Sequence, residues 1–345
     1  MTAVAVAAPE PALPVVQVTN LRAYYSTQQF GVQREVRAVD GVSLQVLPDE
    51  IYGLAGESSC GKSTLIKTIA GAIRPPLAVQ GGSVVFNFAG RRIDLYKAAP
   101  EEIGAMRWKH LSYVMQGSMG VLNPVRRVRE SFIDFAWRHI QQPMPKFLQT
   151  VHTHLERLHL KPEVLRAYPH ELSGGMRQRV AIALATVCRP ELIIADEPTT
   201  ALDVIVQKGV LDMIRDVQRE LKTSLIFVTH DMAVHAHLCH RLGVMYAGRL
   251  IEEARTADIF GAPRHPYTRH LIASLPRLGQ TRESQAPTPA LEGAPPNLAD
   301  PPSGCRFHPR CPLAMDVCKQ RVPELTPVAP GHRVACFAVT PPDVH

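Results

Sequence analysis

An α/β fold built on a mostly parallel sheet is predicted by three observations. Short, nearly all-apolar segments at residues 51–55, 192–195 and 224–228 alternate with helical patterns, as strands covered on both faces must. The first of these segments runs into a glycine-rich loop, GESSCGKS, and then into a helix. The second ends in adjacent carboxylates, Asp196-Glu197, where a buried parallel strand would deliver side chains to the edge of the sheet.

Taken in order, a strand begins near residues 15–18, and another covers residues 42–46, with Val42, Leu44 and Val46 alternating. Residues 64–72 continue the glycine loop as a helix, and strands follow at 83–88 and 111–115. Residues 129–142 and 146–160 carry helical patterns; in the second, Phe147, Val151, Leu155 and Leu158 share one face. A helix over 177–188 precedes the strand at 192–195. An amphipathic helix with Val210, Ile214, Val217 and Leu221 separates that strand from the one at 224–228. Residues 241–253 read as a hairpin turning at Ala247-Gly248. The helix-rich stretch from about 118 to 180 interrupts the alternation and is expected to form its own lobe. Residues 280–303, rich in Pro, Ala and polar side chains, read as a linker to a cysteine- and proline-rich tail.

The totals exclude several classes. At 345 residues, 46% hydrophobic, the chain can fill one large core and an extension. No run of 18 apolar residues is present, so no spanning helix is expected. The first 14 residues carry no basic side chain and are broken by prolines, which reads as a disordered tail rather than a secretory signal. The net charge of +7 suits an acidic contact such as phosphates or anionic headgroups. One phosphate loop without an internal duplicate implies one nucleotide domain.

In Gly56-Glu57-Ser58-Ser59-Cys60-Gly61-Lys62-Ser63, followed by Thr64, the glycines let backbone N–H groups turn inward around phosphate oxygens. Lys62 would reach the β- and γ-phosphates and the Ser63 hydroxyl would ligate Mg²⁺. Asp196 would stand beside that metal, and Glu197 would polarise an attacking water. Leu172-Ser173-Gly174-Gly175-Met176-Arg177-Gln178-Arg179 supplies a second phosphate-binding turn, again a hydroxyl and bare amides at a helix N-terminus.

The order of these motifs resembles the nucleotide-binding subunits of ABC transporters. The resemblance implies an antiparallel β subdomain, a RecA-like sheet and a helical subdomain, with ATP and Mg²⁺ as ligands. It implies that Gln116 senses Mg²⁺ and the γ-phosphate, that His230 is the switch histidine, and that Asp203 communicates across a dimer. Tyr25 is placed under the adenine, with Tyr24 as its rival. Ser173, Gly174 and Gly175 would complete the ATP site of a neighbouring subunit.

Met176-Arg177-Gln178-Arg179, the run from Ala195 to Val204, His265-Pro266-Tyr267-Thr268 and the tail from Gly304 to Pro312 are similar to the ATPases of oligopeptide, dipeptide and nickel importers. The division implied is an ATPase domain at 15–264 and an extension at 265–345. After Gln116 that branch has Asp-Pro where this chain has Gly117-Ser118-Met119-Gly120, which leaves oligosaccharide or nickel uptake open beside peptide import. A non-transport ATPase of the same class is a further alternative. The implied partners are a second ATPase subunit, commonly a paralogue, two transmembrane permeases and an extracytoplasmic solute-binding protein, but no nucleic acid. The implied location is the cytoplasmic face of the membrane.

Four of the seven cysteines, Cys305, Cys311, Cys318 and Cys336, stand in the tail. Their spacing does not match the closely paired ligands of a zinc ribbon. Four thiolates could hold a 4Fe–4S cluster, as similar tails imply, with zinc and unligated thiols as alternatives.

Overall fold

The computed structural model describes residues 13–29, 32–200, 202–275 and 293–340; the expected tail before residue 13 and the linker stretch 280–292 lie outside the described residues. Its strands are β1 (Val16–Gln29), β2 (Val32–Val46), β3 (Ile51–Ala55), β4 (Leu77–Phe88), β5 (Arg91–Asp94), β6 (Leu111–Val114), β7 (Leu192–Asp196), β8 (Ser224–Val228), β9 (Arg241–Tyr246), β10 (Arg249–Arg255), β11 (Thr326–Ala329) and β12 (His332–Val334). The helices are α1 (Lys62–Ile69), α2 (Pro100–Met106), α3 (Val128–His139), α4 (Met144–Arg157), α5 (Gly174–Thr186), α6 (Val204–Leu221), α7 (Met232–Leu238), α8 (Thr256–Gly261), α9 (Pro266–Ala273) and α10 (Asp316–Gln320).

The larger sheet runs β11-β12-β10-β9-β3-β8-β7-β6, and the smaller runs β2-β1-β4-β5. From β9 to β6 every neighbour is parallel, whereas β10, β12 and β11 add on antiparallel. Every residue of β3, β7 and β8 is buried, which explains their unbroken apolar sequence.

Successive residues of these strands feed opposite layers. Ile193, Leu225 and Phe227 join the core beneath the helical lobe, with Phe132, Phe147, Val151, Leu155 and Leu158. Ile194, Ile226 and Val228 instead join α1 and the smaller sheet, with Leu65, Ile69, Val16 and Phe86. Each such side chain contributes about 1.5–3 kcal/mol of burial. The period-2 pleat thus clamps the parallel sheet between two different partners.

Two regions depart from expectation. β1 and β2 extend well beyond the residues whose alternation announces them, because register shifts after Val18, Leu21 and Ala23 break the period. The tail contributes strands as well as loops: β12 pairs with β10 through Glu252 and Glu253, and β11 closes the sheet with Pro327 on the outermost strand. The hairpin between β9 and β10 turns at Ala247-Gly248 as expected, both at positive φ.

Three buried histidines are held neutral. Burial lowers the pKa of His154 and His235 to about 4 and that of His265 to about 3. Each imidazole is engaged: His154 with the Thr186 hydroxyl, His235 with the Thr229 carbonyl, and His265 with the Tyr267 N–H. Because the unfolded chain binds these protons more readily, their stabilising contribution is full above about pH 6.5 and is lost as pH falls through the folded values. His265→Asn keeps an acceptor for the Tyr267 amide but removes one titrating group. Its melting temperature should therefore fall less steeply than that of the wild type between about pH 7 and 4.5. Identical slopes would contradict the assignment.

Candidate functional site

Sheet order brings distant motifs to one edge. β3, β8, β7 and β6 are consecutive neighbours, so the residues following their C-terminal ends converge: the glycine loop, His230, Asp196-Glu197 and Gln116. A cavity of about 850 Å³ opens there, lined by residues 57–64, Tyr25, Gln116 and Glu197 among others.

The glycine loop is seated without slack. A Cβ on Gly61 would lie 2.0 Å from the Ala38 carbonyl oxygen of β2, and one on Gly56 would lie 2.3 Å from the Met245 carbonyl oxygen of β9. Both glycines also have positive φ, 105° and 144°. Gly61 gives α1 no side-chain cap, and the first turn of that helix carries no acidic residue of its own. Lys62 donates to the carbonyls of Gly56 and Glu57 at 2.7 and 2.8 Å, which fixes its ammonium over the loop.

Ser63 donates to Asp196 at 3.2 Å, so hydroxyl and carboxylate share one spot at the start of α1. Burial raises the Asp196 pKa above the usual carboxylate range, and the hydrogen bond from Ser63 opposes that rise. The oxygen donors of Ser63 and Asp196 suit a hard cation such as Mg²⁺. Glu197 is the hub. Its Oε2 accepts from Gln116 Nε2 and from Thr200 Oγ1, each at 3.0 Å, and its Oε1 lies 3.3 Å from His230 Nδ1. Its own backbone has φ 46°, a conformation bulky residues rarely adopt, and its N–H is held by Val228.

Of the two tyrosines in β1, Tyr25 lines the cavity and meets Thr64 at 3.2 Å, while Tyr24 donates to Asp40 at 2.6 Å. Ser173, Gly174, Gly175 and Asp203 do not line the cavity. Ser173 caps α5 through the Met176 N–H, and Asp203 caps α6 through the Val206 N–H. A Cβ on Gly175 would strike Val206 at 2.7 Å, so the second glycine turn packs directly on the residues after Asp203. The unusual loop after Gln116 also has a structural purpose: buried Ser118 donates to Gln178 of α5 at 3.1 Å and ties the two segments together.

The extension reaches this site through residues in the segments 265–268 and 304–312. His265 caps α9, Pro266 presets its first turn, and the Tyr267 hydroxyl accepts the Glu57 N–H at 2.9 Å. Arg310 grips the Glu57 carboxylate with both terminal nitrogens, at 3.0 and 3.3 Å. Arg306, itself buried, binds Asp40 and the Ala247 carbonyl. His332 and Arg333 pair with Glu252 and Glu253.

The expected iron–sulfur cluster is corrected. Among the described residues no group of three or more His, Cys, Asp or Glu side chains could hold a metal ion, and Cys305, Cys311, Cys318 and Cys336 form no ligand set. Burial pushes the Cys305 thiol up to about 11 and raises Cys311 and Cys336. The tail is ordered instead by strand pairing, by its ion pairs, and by Phe307 packed on Tyr246 and Tyr267.

A family model described as ABC transporter matches residues 39–200, and one described as Oligopeptide/dipeptide transporter, C-terminal region, matches residues 251–318. The dipeptide transport ATP-binding protein DppD of Caldanaerobacter subterraneus is 39% identical over 324 residues, covering 93% of this chain and 96% of that protein. The oligopeptide transport ATP-binding protein OppD of Salmonella typhimurium is 38% identical over 333 residues, covering 96% and 95%. The solved dimeric ATP-binding cassette MJ0796, in a post-hydrolysis state bound to ADP and Pi, shares the fold with a TM-score of 0.60 at 23% identity, over 70% of this chain and 98% of that one. Among the described residues no helix is long and apolar enough to cross a membrane.

Removing the Tyr267 hydroxyl leaves the Glu57 amide without its acceptor. Tyr267→Phe should cost about 1–3 kcal/mol of stability, read from chemical denaturation. An unchanged midpoint would show that this bond does not hold the loop.

Proposed function

The chain belongs to the ATP-binding subunits of oligopeptide and dipeptide ABC transporters, and on that premise we propose that it hydrolyses ATP to drive peptide import. The observation that carries this reading is the grip of Gln116, Thr200 and His230 on the Glu197 carboxylate, beside the phosphate loop.

In the proposed reaction the loop amides, the α1 N-terminus and Lys62 hold the triphosphate. Tyr25 stacks under the adenine. Mg²⁺, held by Ser63, Asp196 and Gln116, would neutralise charge on the phosphates. Glu197 orients a water in line with the γ-phosphorus; the water oxygen bonds to phosphorus, the bond to the β–γ bridging oxygen breaks, and ADP and phosphate leave. Three hydrogen-bonding partners fix the carboxylate, so little reorganisation is needed during the step.

Ser173, Gly174 and Gly175 serve a neighbour's nucleotide, and the neighbour's equivalent turn serves Lys62. The seam between Gly175 and Val206, beside Asp203, supports this division. The ATPase portion is residues 15–264 and the extension 265–345. The partners are a second ATPase subunit, a paralogue of this one, together with two permeases and a solute-binding protein at the membrane. The chain works from its cytoplasmic face.

Glu197→Gln preserves size and hydrogen bonding but removes the charge that orients water. In the assembled complex it should bind ATP normally and release phosphate roughly 100-fold more slowly, or worse. Undiminished turnover would overturn the role given to Glu197.

A further inference from the structure

We infer that residues 295–298 of the C-terminal extension form the wall of the nucleotide pocket that faces the base, and thereby set its affinity for nucleoside triphosphates. Pro295, Pro296, Asn297 and Leu298 line the same cavity as Tyr25 and the phosphate loop. The inference rests on the ATP reading of that cavity.

The position along the cavity follows from one hydrogen bond. The Arg37 N–H of β2 donates to the Leu298 carbonyl at 2.9 Å. Its neighbour Val36 is the register partner of Tyr25 and also lines the cavity. The segment is therefore tied to the Tyr25–Val36 end, where the base and ribose lie if the triphosphate occupies residues 57–64. Two proline rings and a phenol lining one cavity offer apolar surface suited to a flat heterocycle.

The wall is held in shape. Asn297 closes a turn through its side-chain oxygen to the Ala299 N–H at 2.9 Å, and its carbonyl accepts from Asp300 at 3.2 Å. Leu298 packs on the core that contains Tyr246, Tyr267 and Phe307. Downstream, Arg306 fastens the extension to Asp40, and Arg310 fastens it to Glu57 within the loop. A fixed wall contributes affinity without first having to be ordered.

The test compares two ligands on the full-length chain by titration calorimetry. ATP has a base and ribose; inorganic tripolyphosphate has only the phosphate part. Replacing both prolines, Pro295→Gly with Pro296→Gly, loosens the wall but leaves the loop and the Arg37–Leu298 bond. ATP should then bind about tenfold more weakly, equivalent to about 1.4 kcal/mol, while tripolyphosphate binds as before. Unchanged tripolyphosphate affinity also certifies that the variant is folded at the loop. Equal losses for both ligands would mean that the segment acts through the loop, and would overturn the inference. Unchanged ATP affinity would overturn it as well. Wild-type protein that binds neither ligand would overturn the ATP reading itself, and this inference with it.

Discussion

The seat of the phosphate loop depends on the absence of two side chains. Gly61 lies against the Ala38 carbonyl of the smaller sheet and Gly56 against the Met245 carbonyl of the larger one, at separations no Cβ could accept. Gly248 in the β9–β10 turn completes the contact: its N–H bonds the Cys60 carbonyl and its carbonyl accepts from Asp40. The loop is therefore a three-way junction between the two sheets and a hairpin. In the proposed function, that rigidity would let backbone amides act as a preorganised phosphate cradle instead of relaxing away from charge. A methyl group at Gly61 would have to part strand β2 from α1, and with it the Tyr25 and Val36 end of the cavity.

The extension closes around that junction rather than hanging from it. Arg306 reaches both Asp40 and Ala247, Arg310 and Tyr267 hold opposite ends of Glu57, and β12 continues the sheet that carries the loop. Buried ion pairs of this kind add little stability compared with apolar packing, but they are costly to break singly and so fix one geometry. That accounts for a tail whose order derives from sheet pairing and charge rather than from a metal held by its cysteines.

Much of the site was legible in sequence because its chemistry demands particular residues at fixed spacing. Asp196 ends a strand and Lys62, Glu197, Gln116 and His230 each follow one, and the parallel order of those strands assembles them. Tyr25 was separable from Tyr24 only as a family expectation; the structure distinguishes them by partner, Thr64 against Asp40. The extension was less legible. Tyr267, Arg306 and Arg310 stand in the segments 265–268 and 304–312, but Glu57 and Asp40, which they hold, lie more than 200 residues away in sequence, and no local pattern reports such contacts. Cysteine number drew attention to ligation, where the arginines between the cysteines carry the structural role. Strands β11 and β12 were hidden because they are short and owe their form to β10 rather than to their own alternation.

Coupling of hydrolysis to peptide delivery is the central claim, and phosphate release by the assembled transporter in membranes tests it most directly. The rate should rise severalfold when peptide-loaded binding protein is supplied, and should stay near its basal value with binding protein carrying no peptide. The same rate under both conditions, or an equal rate from this chain without its membrane partners, would contradict the account.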